Sequence, residues 1–132
     1  MGALTKEGLL AAAGSANLPK EKIDCPELGG YVWVRGMTGT ERDEFERSNY
    51  TMKRGRIEPN LENVRARLAV RCLIDDQGVR LFGNEDAKAL GQLRADTLSK
   101  IYAVAQRLSN VTDEDLEELK KLSESGAGTA TS

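Results

Sequence analysis

Between Tyr31 and Glu41 the side-chain period of the chain changes, and that change limits the fold more than any other feature of its 132 residues. Tyr31, Trp33 and Arg35 alternate with Val32 and Val34, which is the two-residue period of a strand. Lys22 to Cys25 is a second β-prone stretch, and Pro26, Glu27, Leu28, Gly29 and Gly30 between them have turn chemistry. Residues 22–35 therefore predict a β-hairpin with Val32 and Val34 on its core face. Immediately afterwards Thr38 and Glu41 have the spacing of a capping box, in which each side chain satisfies an otherwise unpaired amide of a helix start. The helix it opens is expected over Gly39 to Tyr50. Phe45 and Tyr50 are its only large apolar residues, a stripe thin enough to place it on the surface.

Helical periodicity governs most of the rest. Thr5 can cap a first helix over residues 6–13, with Leu4 packed on Leu9, and Gly14 to Pro19 breaks it. Residues 51–58 read as a mobile basic loop that Pro59 and Asn60 close by starting a third helix. On that helix Leu61, Val64, Leu68 and Cys72 recur at steps of three and four, widened by Ala69 and Leu73, which marks a core helix. Asp75, Asp76, Gln77 and Gly78 stop it. Val79 to Phe82 is a short extended piece, and Asn84 can cap a short helix through Leu90.

The strongest amphipathic stripe follows Asp96, in Leu98, Ile101, Tyr102, Ala105 and Leu108. Thr112 and Asp115 cap a last helix, with Val111 stapled to Leu116, and Leu119 and Leu122 completing its apolar side. The expected fold is mainly α with a small N-terminal β-hairpin (α+β). A compact helical domain occupies residues 1–122, and the Gly/Ala/Ser/Thr stretch 123–132 is a flexible tail.

Composition narrows the function. Hydrophobic residues make up 39% of the chain and charged residues 30%, a globular mixture. The longest small-apolar run, Leu9 to Ala13, falls far short of the roughly 20 residues that cross a bilayer, so no membrane partner is expected. Cys25 and Cys72 are widely separated and form no metal-like or redox-like pair. The sequence has no histidine, which removes the commonest general base and metal ligand and with them Ser/His and Cys/His catalysis. Asp75, Asp76, Gly78 and Asp86 suggest calcium, but Val79 and Arg80 stand where an EF-hand loop needs a ligand and a glycine. No catalytic residue, metal ligand or cofactor is assigned.

What remains is recognition. Tyr31, Trp33, Phe45 and Tyr50, with the cations Lys53, Arg54 and Arg56, are candidate protein-binding residues. Residues 51–71 hold six basic and two acidic side chains, net +4, whereas residues 113–124 hold two basic and six acidic, net -4. Two readings of this asymmetry stand side by side. Arg65, Arg67 and Arg71 can meet Asp113, Glu114, Glu117 and Glu118 within one chain, or on the next copy in a ring or spiral. The basic 53–71 region is also the basis of the alternative function, a small nucleic-acid-binding or regulatory protein, although a net charge of -2 argues against nucleic acid as a partner.

The order of these pieces resembles the tail assembly chaperones of long-tailed bacteriophages. The likeness is carried by the strand Tyr31, Val32, Trp33, Val34, Arg35, Gly36, Met37, followed by Thr38, Gly39, Thr40, Glu41, Arg42 and Asp43. Further on it is carried by Leu68 to Gly78, then Leu81, Phe82, Glu85, Asp86, Ala89, Leu90 and Gly91, and it spans about residues 4–122. The resemblance implies a mostly helical fold with a small β element, self-association, and a role in tail morphogenesis in the host cell cytoplasm. It also implies absence from the mature virion. The implied partners are the tape measure protein, the tail tube (major tail) protein, other copies of the chain, and a frameshift-extended form of it.

Overall fold

A computed structural model describes residues 2–112, 114, 115, 117, 118 and 121. The hairpin forms as β1 (Lys20–Cys25) and β2 (Gly30–Arg35), antiparallel, with Lys22 opposite Trp33 and Ile23 opposite Val32. Gly29, at a φ of 82°, closes its turn in the left-handed conformation that glycine adopts without penalty. The sequence had not shown a third strand. Leu73 and Ile74 leave the end of a helix as β3 and pair with Val34 and Trp33, so β2 is central and the order is β1-β2-β3.

The helices are α1 (Lys6–Ala12), α2 (Gly39–Ser48), α3 (Val64–Cys72), α4 (Ala87–Leu90) and α5 (Ala95–Ser109). α3 and α5 pack on one another and on the face of the sheet that carries Ile23, Cys25 and Val34. Leu68, Ala69, Val70 and Cys72 from α3 meet Leu98, Ile101 and Ala105 from α5 in that core. Val34 is fully buried and Val32 packs against the core, as the alternation requires. Both cysteines are free and buried. Burial is the first cause of the raised pKa of Cys72, which reaches about 11.

Several boundaries differ from the sequence reading. Residues 51–58 are not a loop. Tyr50–Lys53 and Arg56–Pro59 form a second hairpin, β4 and β5, with Met52 opposite Ile57 and Lys53 opposite Arg56. Arg54 and Gly55 make its two-residue turn, both at positive φ (52° and 77°), as the tight hairpin turns that match strand twist require. The strands take up Pro59 and Asn60 lies beyond them, so α3 begins only at Val64 and Leu61 precedes it. Asn84 does not cap the fourth helix. Its amide oxygen accepts from Arg80, while the Asp86 carboxylate reaches back to the Gly83 amide.

The caps at Thr5 and Thr38 form as expected, but Leu4 and Leu9 are both largely exposed and build no buried staple. The Thr112–Asp115 cap also forms, with Val111 buried beside it, and Glu114, Asp115, Glu117, Glu118 and Lys121 are helical. Asp113, Leu116, Leu119, Leu122 and the 123–132 stretch lie outside the described residues.

Candidate functional site

The β4–β5 hairpin stands out because its apolar side chains are left largely uncovered. Met52 and Ile57, a cross-strand pair, are 64% and 70% exposed, and Tyr50 at the root is 45% exposed. Cross-strand apolar pairs normally contribute by being covered. Here the pair lies open on one face of the ribbon, while Lys53 and Arg56, the next pair along, point to the other face and Arg54 sits in the turn, all three exposed. The ribbon thus carries an uncovered apolar pair on one face and a basic pair on the other, both available to a partner rather than to its own body.

Its root is held by Arg67. This α3 side chain is 9% exposed, and its guanidinium donates to Ser48 Oγ at 2.7 Å and Asn49 Oδ1 at 2.8 Å on one side of the hairpin. On the other side it donates to the Asn60 carbonyl at 2.7 Å and the Glu62 carbonyl at 2.9 Å. Asn60 adds bonds of its own to the Asn49 and Ser48 carbonyls. Both ends of the hairpin are therefore tied to a buried cation whose charge is spread over neutral acceptors.

Arg71, one turn further along α3, is also buried; it donates to the Arg67 carbonyl at 2.6 Å and its guanidinium lies 5.9 Å from the centre of the Phe45 ring. Phe45 itself is 1% exposed. These three positions correct the sequence reading: Phe45, Arg67 and Arg71 face inward, where they support the surface and present nothing to a partner. Arg65 alone of the α3 arginines is exposed, its guanidinium 5.9 Å from the Tyr102 ring centre. It borders the same groove as Glu117. Glu114 and Glu118 are exposed, and Glu118 lines a shallow cavity with Tyr50 and Phe45.

Tyr31 and Trp33 occupy the outer face of β2, remote in sequence from the second hairpin. Trp33 is half-buried, and its indole N–H and the Tyr31 hydroxyl both donate to Asp76 Oδ1, at 2.8 and 3.2 Å. Lys22 lies 4.2 Å from the Tyr31 ring centre and Lys20 5.2 Å from that of Trp33. Asp75 accepts from the amides of Gln77 and Val79. The oxygens that suggested calcium are thus engaged in a turn and in anchoring an aromatic face.

Among the described carboxylates, Glu41 lies furthest from its ordinary pKa. Burial pushes it up, but the paired hydrogen bonds from Arg35 at 2.7 and 2.9 Å, the Thr38 amide, and the charges of Arg35 and Arg80 prevail and bring it to about 2. Its role is to lock β2 to the start of α2.

No family model and no curated protein matches the chain. Among solved structures it is similar to the tail assembly chaperone of bacteriophage HK97, at 21% sequence identity and a TM-score of 0.56 over 80% of this chain and 94% of that one. The mixed sheet-and-helix arrangement described above is thus the fold of that tail assembly chaperone.

Proposed function

We propose that the chain is a phage tail assembly chaperone that binds and solubilises the tape measure protein and brings tail tube subunits to it, without catalysis. The observation that carries this reading is the β4–β5 ribbon, with the apolar pair Met52 and Ile57 uncovered on one face and a basic tip beyond it, on a fold similar to that of the HK97 protein. A long helical protein that awaits its tube exposes apolar stripes, and a ribbon of this kind covers such stripes reversibly. Tyr31 and Trp33 form a second face for a tube subunit, held rigid by Asp76. In this reading the protein acts in the host cytoplasm, self-associates along its client, works beside a frameshift-extended form, and is left out of the mature virion.

The test is to express the tape measure protein of the same genome with and without this chain, supplying the extended form as well. Recovery of soluble tape measure protein that co-purifies with the chain supports the proposal, and insolubility in every combination contradicts it. The alternative use of the basic tip, phosphate contacts with nucleic acid, makes a different forecast: retardation of nucleic acid that weakens steeply with salt and is lost on reversing Lys53, Arg54 and Arg56.

A further inference from the structure

Arg35, Arg71 and Arg80 crowd the junction of α2, α3 and the 75–84 segment, and their donors are unequally met. Arg35 is held by both oxygens of Glu41 and by the Gly36 carbonyl. Arg80 donates from Nε and Nη2 to the Val70 carbonyl, at 3.2 and 3.0 Å, and from Nη2 to Asn84 Oδ1 at 2.7 Å. Its Nη1 stands 3.9 Å from Glu41 Oε2, too far for a hydrogen bond, and that carboxylate is already shared between Arg35 and the Thr38 amide.

Arg71 is served worse. It is 4% exposed, and the Arg67 carbonyl, 2.6 Å from Nη1, is its one hydrogen-bond acceptor among the described residues. Its Nε is buried with no acceptor, and it forms no ion pair among those residues. The Phe45 ring 5.9 Å away shields the guanidinium but offers no lone pair. Burial lowers the Arg71 pKa first and repulsion from Arg80 second, while Glu44, half-buried on α2, attracts it from beyond ion-pair distance. Glu44 itself is held only by a long contact, 3.4 Å, with Asn84 Nδ2. Arg35, Arg71 and Arg80 set against Glu41 and Glu44 leave one positive charge over at this corner, and buried donors left unmet are costly.

We propose that Arg71 and Arg80 together hold one small free oxoanion of the phosphate class. Its oxygens accept from Nε and Nη2 of Arg71 on the inner side and from Nη1 of Arg80 on the outer side, with Asn84 at the rim. Guanidinium forks suit this ligand because a tetrahedral oxoanion takes two parallel N–H bonds from each. Arg71 lies too deep for a partner's surface to reach, which confines the ligand to a free ion. The ion ties α3 to the 75–84 segment one helical turn from Arg67, and so braces the corner from which the second hairpin is held. It involves no client, and it stands or fails separately from the chaperone proposal.

Inorganic phosphate titrated into the full chain, against sodium chloride at equal ionic strength, tests it. The unfolding temperature is expected to rise with phosphate, and the Arg71 Nε–H resonance to shift and saturate with the midpoint of a single site. Acetate, planar and singly charged, should need about tenfold higher concentration for the same shift. Arg71→Met and Arg80→Gln should each abolish the saturable response, and Arg80→Gln, at the half-buried rim, keeps the test open if Arg71→Met fails to fold. Glu44→Gln removes a competing negative charge and should tighten phosphate binding by about fivefold. If Glu44 is instead the internal counter-ion of Arg71, Glu44→Gln lowers stability and no chain responds to phosphate beyond chloride, which overturns the proposal. A response that leaves the Arg71 resonance unmoved, that survives Arg80→Gln, or that acetate matches at equal concentration would overturn it too.

Discussion

Arg67 shows how a single side chain decides what a neighbouring element can do. Its four acceptors lie on either side of the second hairpin, and replacing it removes the donor of the buried Asn49 and of the half-buried Ser48 and Asn60. Arg67→Met is expected to cost roughly 2–4 kcal/mol in urea unfolding, since unsatisfied buried groups are dearer than the bonds themselves are strong. Amide exchange should speed up between Asn49 and Asn60 more than in α5. Glu41 makes a different forecast, with pH as the variable. Its pKa falls from an ordinary 4.5 to about 2 on folding, so it stabilises the fold above the unfolded value and that contribution drains away as pH drops from 4.5 toward 2. The shift corresponds to roughly 3 kcal/mol between those limits. Glu41→Gln should therefore be less stable at neutral pH and show a flatter acid limb, as measured by unfolding at stepped pH.

At the scale of elements, Gly36 lies where the end of β2 comes close to the end of α5. A β-carbon there would stand 2.5 Å from the carbonyl oxygen of Leu108, so Gly36→Ala forces α5 away from β2 and should lower stability by about 1–3 kcal/mol in thermal unfolding. The second hairpin makes the opposite kind of prediction. Arg54 occupies a left-handed position that asparagine accepts more readily, so Arg54→Asn should keep or tighten the ribbon, raising stability by about 0.5 kcal/mol while removing one charge from its tip.

The same elements explain what could be read in advance. The first hairpin, the Thr38 box and the α5 stripe announce themselves because period, turn chemistry and capping agree locally. The second hairpin was hidden because its turn is Arg-Gly rather than Asn-Gly and its strands are only four residues long. β3 was hidden because two residues pair with β2 through distance rather than pattern. Arg67 and Arg71 misled for a related reason: on a helix buried from Ala66 to Cys72, arginines bonded to internal acceptors look in sequence like a solvated basic face.

At the scale of the whole molecule, the basic region resolves into two parts. Arg67 and Arg71 are internal supports, while Lys53, Arg54 and Arg56 form the basic tip of a ribbon, held by its root, that exposes Met52 and Ile57 on one face. The proposed chaperone activity rests on that ribbon. The measurement that tests it most directly is the soluble fraction of the tape measure protein co-expressed with the wild-type chain and with a Met52→Asp/Ile57→Asp chain of equal folded stability. Rescue of solubility and co-purification by the wild type, with loss of both in the variant, is the predicted result; equal rescue by the two chains, or none by either, would contradict it.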